Sequence, residues 1–435
     1  MHDKLHWDYH DEIVPFAFSA STAPAPNDVT ACLYSNEAWL STLGSFVAAW
    51  QGPVSLVFET AHSRTSPERM DLMRQIQAIR EADELVRRHV DIHIVGSPNT
   101  TKERARNKLR ERMIEQPLAQ NYQINLARFF APTDVIFVVA DPRIVPSAGL
   151  KSRLADETVQ QVVLERGDVV AVPTFGFIRD PTGDTSEAKF PSLDDLRVRA
   201  GLSGGESTSS GVSSADFEVL ASQHILALHE SLPLPPSAWP SRKQSLVSQV
   251  STRRPTPDVP TTARIAMFDR RWDINHGPSN WYLWRKQATD KHLEDEPELG
   301  GGVGLGLDGS IGGGRDLYRV VDYDMHYSPA LVMSRKGQPW CTERFETMHA
   351  ACTYQMYLTG AEVWVLPDEW TFTLENSISA RLFGKFHQEA CMHYGREFLS
   401  MQMWDSEKAQ HLRETCVRTL NTWGMGLAPP SATRS

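Results

Sequence analysis

Long apolar runs and secretory signals are missing from the sequence. No segment reaches about 18 uninterrupted apolar residues, and residues 1–21 mix charge and histidine where a signal peptide would carry its apolar run. We therefore predict no membrane span and no anchor in this sequence. If the chain is complete, a cytoplasmic location is expected.

A basic excess is also missing. The formal net charge is −10 and the isoelectric point is near 5.9, which gives no general footprint for nucleic acid. Hydrophobic residues make up 41% and charged residues 23% of the 435 residues, so a sizeable core is expected. The length suits one large α/β domain with insertions, or two modest domains.

Paired cysteine motifs are absent as well. The five cysteines have no CxxC pair and no zinc-finger spacing, and an odd number leaves at least one unpaired. They are Cys32, Cys341, Cys352, Cys391 and Cys416. This scatter predicts buried free thiols in a reducing compartment, and it disfavours a secreted protein framed by disulfides.

Helices and strands alternate in the first part of the chain. Apolar residues at helical spacing precede SLVFE and VDIHIV, and a further helix precedes VIFVVA, the most apolar run in the chain. Because a continuous Val/Ile/Phe run is typical of a strand covered on both faces, we predict an α/β, three-layer fold with a mostly parallel central sheet.

Composition changes mark the boundaries of the predicted units. A Ser-, Gly- and Pro-rich stretch is predicted to be an insertion with disordered edges. A later Gly-rich loop matches GxGxxG literally, but no strand precedes it, so a plain loop is predicted. The units are an extension (1–37), a first α/β half (38–180), the insertion (181–262), a second half (263–376, with the Gly-rich loop at 300–314) and a helical C-terminal region (377–435).

The run VIFVVA ends in Asp141-Pro142-Arg143. Carboxylates at the end of a buried strand are suited to holding a divalent cation that neutralises a leaving diphosphate. Only one carboxylate is present here. Arg143 would repel a cation, or its guanidinium would itself neutralise the diphosphate.

Seven segments in order resemble the LARGE-type glycosyltransferases, glycosyltransferase family 49. They are WQGPVSLVFE (50–59), INLARFFAPTDVIFVVADPRIVPSAGL (124–150), AVPTFGFIR (171–179), HGPSNW (276–281), YRVVDYDMHYSPALVMSR (318–335), TERF (342–345) and EVWVLPDEW (362–370). The resemblance implies a GT-A-like fold and metal-dependent transfer of xylose or glucuronic acid from a UDP-sugar to a glycan acceptor. It also implies a Golgi location.

The departures from the family pattern fall at the expected site. The family's Asp-x-Asp corresponds to Asp141 and Arg143, and its metal-binding histidine falls at about Thr373, with a second histidine position near Asn376. The Gly-x-Gly-Trp after TERF has become residues 347–350, Thr-Met-His-Ala. Mn or Mg binding is therefore expected to be weakened or absent, with Asp141 as the surviving ligand.

Other site residues follow from the same comparison. Asn125 and Arg128 match a family position from which an arginine could reach the diphosphate; the alternative is a surface arginine paired with an acid. His276, Asn280 and Trp281 are candidates for an acceptor groove because sugars stack on indole; the alternative is loop packing.

Asp324 and Glu343 are the candidate general bases for the acceptor hydroxyl. Asp322 and Asp324 also form the one literal Asp-x-Asp, which is either a relocated metal pair or two carboxylates facing solvent. Three hypotheses remain: a glycosyltransferase, a catalytically inactive GT-A-like binding or regulatory protein, and an unrelated α/β protein.

Overall fold

The computed structural model describes most of the predicted α/β regions. The described residues are 13–36, 40, 43–60, 62, 64–96, 120–139, 144–177, 240–251, 265–267, 275–287, 317–342, 349–373, 390–396 and 407–422. The Gly-rich loop at 300–314, most of the predicted insertion and the residues Asp141, Arg143, Glu343 and Asn376 lie outside them.

The strands come where the sequence has buried apolar runs. They are β1 Ile13–Phe18, β2 Val29–Asn36, β3 Val54–Thr60, β4 Val90–Gly96, β5 Val135–Val138, β6 Ile144–Pro146, β7 Val169–Val172, β8 Thr174–Phe177, β9 Val250–Ser251, β10 Ile265–Ala266, β11 Tyr318–Arg319, β12 Ala330–Ser334, β13 Val363–Val365 and β14 Thr371–Thr373.

The helices connect these strands. They are α1 Leu43–Trp50, α2 Pro67–Ala82, α3 Glu84–His89, α4 Gln120–Phe130, α5 Leu150–Leu154, α6 Glu157–Gln160, a π-helical turn Gln161–Glu165, α7 Lys243–Gln249, α8 Trp281–Gln287, α9 His349–Leu358 and α10 Glu407–Thr422. Residues 390–396 are also helical. Helix α2 shows why such boundaries form: the Ser66 side chain accepts a hydrogen bond from the Arg69 N–H, and Pro67 occupies the first turn.

The main sheet has nine strands in the order β1-β4-β3-β2-β5-β12-β7-β13-β11. Four pairings are parallel and four are antiparallel, so the prediction of a mostly parallel sheet is wrong. The central exception is β12, which runs against both of its neighbours. A strand covered on both faces gives the same apolar run in either direction, so the sequence could not reveal its orientation.

Helices cover both faces of this sheet, as the predicted α/β layering requires. Alternate residues of one strand enter different cores: Val135 and Phe137 pack with α1, α2 and α5, whereas Ile136 and Val138 pack with α4, α9 and α10. This alternation follows from the two-residue period of a strand.

A second sheet has the order β6-β14-β8-β10-β9. Strand β9 and helix α7 come from residues 240–251, which lie inside the predicted low-complexity insertion. The described end of that segment is therefore part of the fold, and the second sheet joins β6, just after β5, to the region after β13.

Strand β1 forms one edge of the main sheet and is irregular. Between Val14 and Phe18 the register with β4 shifts, and Phe16 has a φ of 49°. Pro15 stands at the same place and has no N–H for a ladder. The irregularity directs the Phe16 N–H to the Nδ1 atom of His93 in β4, at 3.0 Å.

Four of the five cysteines form disulfides, which corrects the prediction of free thiols. Cys341–Cys352 joins the segment after β12 to α9, and Cys391–Cys416 joins helical residues 390–396 to α10. Cys32 in β2 stays free, and burial raises the pKa of its thiol to about 12. The spacing of the cysteines along the sequence gave no sign of these pairs, because the fold brings together cysteines that lie 11 and 25 residues apart.

Candidate functional site

The winding of the main sheet reverses between β2 and β5. From β2 the chain adds β3 and then β4 on one side, whereas β5 pairs with the other side of β2. Ligands of open α/β sheets bind in the crevice outside the carboxyl ends of strands at such a point. The last residue of β5, Val138, pairs with Cys32, and β2 continues to Asn36. The end of β2 therefore lies where such a crevice is expected. We call this side of the main sheet, at which β2 and β5 end, the carboxyl edge.

Strand β5 leads directly to the predicted ligand Asp141. All four residues of β5 are buried, and the Val139 N–H donates to the Cys32 carbonyl at 3.2 Å. The structure describes the chain up to Val139 and again from Ile144. The roles of Asp141 and Arg143 therefore remain predictions. A buried strand directed at the carboxyl edge is what those predictions require.

The second sheet brings position 373 beside the segment that follows β5. Strands β6 and β14 are antiparallel, and Thr373 pairs with Ile144, three residues after Asp141. The position at which the family resemblance places a metal-binding histidine therefore pairs with the first described residue after the predicted ligand Asp141. A hydroxyl at Thr373 replaces an imidazole there, and the described residues contain no group of three His, Cys, Asp or Glu side chains suited to a metal ion.

Asn125 holds a backbone segment. Its amide donates to the Cys341 carbonyl at 2.8 Å, and its side-chain oxygen accepts from the Cys341 N–H at 2.9 Å. Asn121, one turn earlier on the same face of α4, donates to the Thr342 carbonyl at 3.0 Å. The amides of α4 thus fix the chain after β12.

Arg128 lies on the same face and is also directed at this segment. Its guanidinium donates to the carbonyls of Arg335, Gln338 and Pro339 and stacks 4.4 Å from the Trp340 ring centre. Burial lowers the pKa of Arg128 to about 10. The described contacts correspond neither to a diphosphate ligand nor to a surface arginine paired with an acid. They are those of a buried side chain that satisfies three loop carbonyls.

The three candidate acceptor residues separate in the structure. Asn280 caps α8, accepting from the Leu283 N–H at 3.0 Å, and Trp281 stacks on Trp284 with ring centres 5.6 Å apart. Both contacts correspond to the loop-packing alternative. His276 instead lies at the carboxyl edge, where its carbonyl accepts from the Thr174 N–H at 2.7 Å.

A row of polar groups continues from His276 across the carboxyl edge. On one side the Thr174 and Thr371 hydroxyls are 2.8 Å apart. On the other, the His276 Nδ1 lies 2.8 Å from the Ser328 carbonyl, and the His349 Nε2 lies 3.0 Å from the Pro329 carbonyl. We call these groups the polar row. Sequence reasoning missed His349 as a site residue, since its only signal was a histidine at the start of an apolar helix.

The literal Asp-x-Asp lies on an exposed turn. Strand β11 ends at Arg319, and the turn begins where the Val320 N–H donates to the carbonyl of Val363, the first residue of β13. Asp322 and Asp324 are both exposed, while the Tyr323 ring between them stacks on Tyr357 of α9. The solvent-facing alternative is therefore observed. Asp324 accepts from the His326 N–H and lies 3.3 Å from its Nδ1.

Lys243 is a further buried polar residue that the sequence did not single out. Its ammonium donates to the Trp284 and Pro367 carbonyls and lies 3.7 Å from the Trp284 ring centre. Burial lowers the pKa of Lys243 to about 7. These contacts attach α7 to α8 and to the segment after β13, so the lysine holds the second sheet against the main one.

Comparison with known proteins assigns no family: the sequence matches no protein-family model and no curated protein. In the described part of the chain, no helix combines the length and apolarity needed to cross a membrane.

Proposed function

We propose that this protein is a GT-A-like glycosyltransferase that transfers a sugar of the xylose or glucuronic acid class from a UDP-sugar to a glycan acceptor. The observation that carries the proposal is the pairing of β14 with β6, the first strand after β5, with Thr373 paired to Ile144. It supports a donor pocket in which Asp141 and Arg143 contact the diphosphate.

A guanidinium at position 143 would supply the charge that the damaged Asp-x-Asp does not. Thr373 offers a hydroxyl where the family resemblance expects a metal-binding imidazole, which supports weakened or absent Mn or Mg binding. An arginine can neutralise a diphosphate directly through paired N–H donors. Donor binding is therefore proposed to need no divalent cation. Asp324 and Glu343 remain the proposed general bases for the acceptor hydroxyl.

Calorimetric titration of the full chain with UDP, with and without manganese, tests the donor site. Equal binding in both conditions is expected, and no binding in either would refute the proposal. Asp141→Ala should weaken binding about tenfold or more. Asp134→Ala is the matched control, because Asp134 precedes the same strand at its other end and its carboxylate is 74% exposed.

A catalytically inactive binding protein is the second candidate. It is favoured by the structural use of side chains that the family resemblance assigned to substrates, above all Arg128 and Asn280. UDP binding without transfer or hydrolysis of UDP-xylose and UDP-glucuronic acid would support this candidate over the enzyme.

The disulfides bear on where the protein acts. Disulfides persist in oxidising compartments and are rare in the cytosol, so Cys341–Cys352 and Cys391–Cys416 support action in a lumen such as the Golgi. Protein recovered from that compartment should show one free thiol after denaturation, whereas five free thiols would place it in a reducing compartment.

A further inference from the structure

His349 is the first residue of α9 and is 4% exposed. Its Nε2 lies 3.0 Å from the Pro329 carbonyl oxygen, which can only accept, so Nε2 carries the hydrogen. Nδ1 is then a lone-pair acceptor. Burial lowers the pKa of His349 to about 4, which keeps the ring neutral at physiological pH.

The ring is at the carboxyl edge. Pro329 directly precedes β12, whose first residues Ala330 and Leu331 pair with Val172, at the end of β7, and with Val138, at the end of β5. His349 therefore lies next to the strand that separates these two ends, within the polar row.

The Nδ1 atom of His349 is buried and has no hydrogen-bond partner among the residues that the structure describes. His93, equally buried and with its pKa also lowered to about 4, uses both ring nitrogens. An unpaired buried acceptor destabilises the fold, so the unpaired Nδ1 needs an explanation.

The first turn of α9 supplies the complementary groups. Its leading N–H groups have no partner within the helix. A lone-pair acceptor beside such donors matches a group that both donates and accepts one hydrogen bond. A hydroxyl is such a group.

We propose that the start of α9 is a subsite for a sugar hydroxyl, which donates to the His349 Nδ1 and accepts from an N–H of the first turn. The inference deepens the proposed function and rests on it for the identity of the sugar. His349 would act as a residue that positions the sugar, and its bond to the Pro329 carbonyl would fix the direction of the ring.

Nitrogen NMR of the ¹⁵N-histidine-labelled full chain tests the subsite without a substitution. UDP-xylose, UDP-glucuronic acid, UDP alone and free xylose are the probes. We expect at least one of the sugar-bearing probes to shift the His349 Nδ1 resonance toward that of a hydrogen-bonded nitrogen, while both His93 nitrogens stay unchanged. An Nδ1 that is already hydrogen-bonded in the free protein and unmoved by every probe would assign the position to a bound water and overturn the subsite.

A variant separates this inference from the proposed function. In His349→Leu, the affinity for UDP-xylose should fall about tenfold while the affinity for UDP stays the same, because UDP lacks the xylose that would occupy the subsite. Equal loss for both, or no loss for either, would overturn the subsite. If wild-type protein does not bind UDP, the transferase proposal fails, and the free-xylose shift then decides the subsite alone.

Discussion

Two histidines are buried in the described part of the chain, His93 and His349. They differ in how many of their ring nitrogens have a hydrogen-bond partner. Around His93, in the layer of β1, β4, β3 and α4, the Phe16 N–H donates to Nδ1, and Nε2 donates to the Ser55 hydroxyl at 3.2 Å. Ser55 in turn donates to the Ala127 carbonyl at 2.7 Å. Every polar group in this series of hydrogen bonds has a partner.

Around His349, in the layer of β12, α9 and α10, buried polar atoms remain unpaired. The His349 Nδ1 and the Tyr323 hydroxyl have no partner, although both residues are buried. The same region holds both disulfides. The hydrogen bonds from Phe16 through His93 and Ser55 to Ala127 stabilise the first region, whereas the second combines covalent cross-links with buried polar atoms that lack a partner among the described residues. Unpaired polar atoms on a rigid, cross-linked part of the fold are suited to binding a ligand.

Acid should affect the two regions equally, and this is the largest expected effect. Both histidines have a pKa lowered from 6.5 to about 4 by burial. The unfolded chain therefore binds more protons than the folded chain between these values, so stability is complete above pH 6.5 and decreases as the pH falls to 4. We expect a loss of about 3 kcal/mol for each histidine, measured by urea unfolding across this range.

Removing each disulfide should cost about 3 kcal/mol, because the closed loops span 11 and 25 residues. Cys341→Ala/Cys352→Ala and Cys391→Ala/Cys416→Ala are the test variants, and their unfolding midpoints give the loss. Cys32→Ala is the control, since it removes a buried thiol without a cross-link. Losses no larger than that of the control would show that the cross-links do not stabilise this region.

Ser55→Ala should remove the hydrogen bonds that link His93 to the Ala127 carbonyl. The change leaves the His93 Nε2 hydrogen and the Ala127 carbonyl without their partner, which costs about 2 kcal/mol in urea unfolding. Ser248→Ala, an exposed hydroxyl that donates to the Ser245 carbonyl, should change stability by less than about 0.5 kcal/mol. Similar values for the two variants would remove the distinction between the regions.

His349→Leu should have the smallest effect at neutral pH. The Pro329 carbonyl loses its donor, but the unpaired Nδ1 disappears at the same time, so the net change should stay below about 1 kcal/mol. Differential scanning calorimetry at pH 7.5 gives the value. A loss near that of Ser55→Ala would mean that the ring is held by contacts beyond the Pro329 bond.

Sequence patterns predicted the elements better than their directions. The apolar runs of β3, β4 and β5 and the helical spacing of α2 each gave the observed element. The antiparallel course of β12 was missed, because burial on both faces removes the alternation that would otherwise constrain a strand.

The site was predictable only where chemistry follows a strand end. The segment after β5 was expected at the crevice from the apolar run alone, and its neighbour at Thr373 from the family resemblance. The backbone contacts of Arg128 and Asn125 were not foreseen, because a charged or amide side chain on a helix gives no sign of the carbonyls that it will meet across the fold. The polar row depends on pairing between distant segments, which spacing along the chain does not encode.

The irregular strand β1 has a consequence for how copies of the protein meet. An open sheet presents a free edge on which another chain could add a strand and begin to aggregate. Here Pro15 lacks the donor such a strand would need, and the shifted register around Phe16 turns backbone groups away from the ladder direction. This side of the sheet is thereby protected against fibril-like growth.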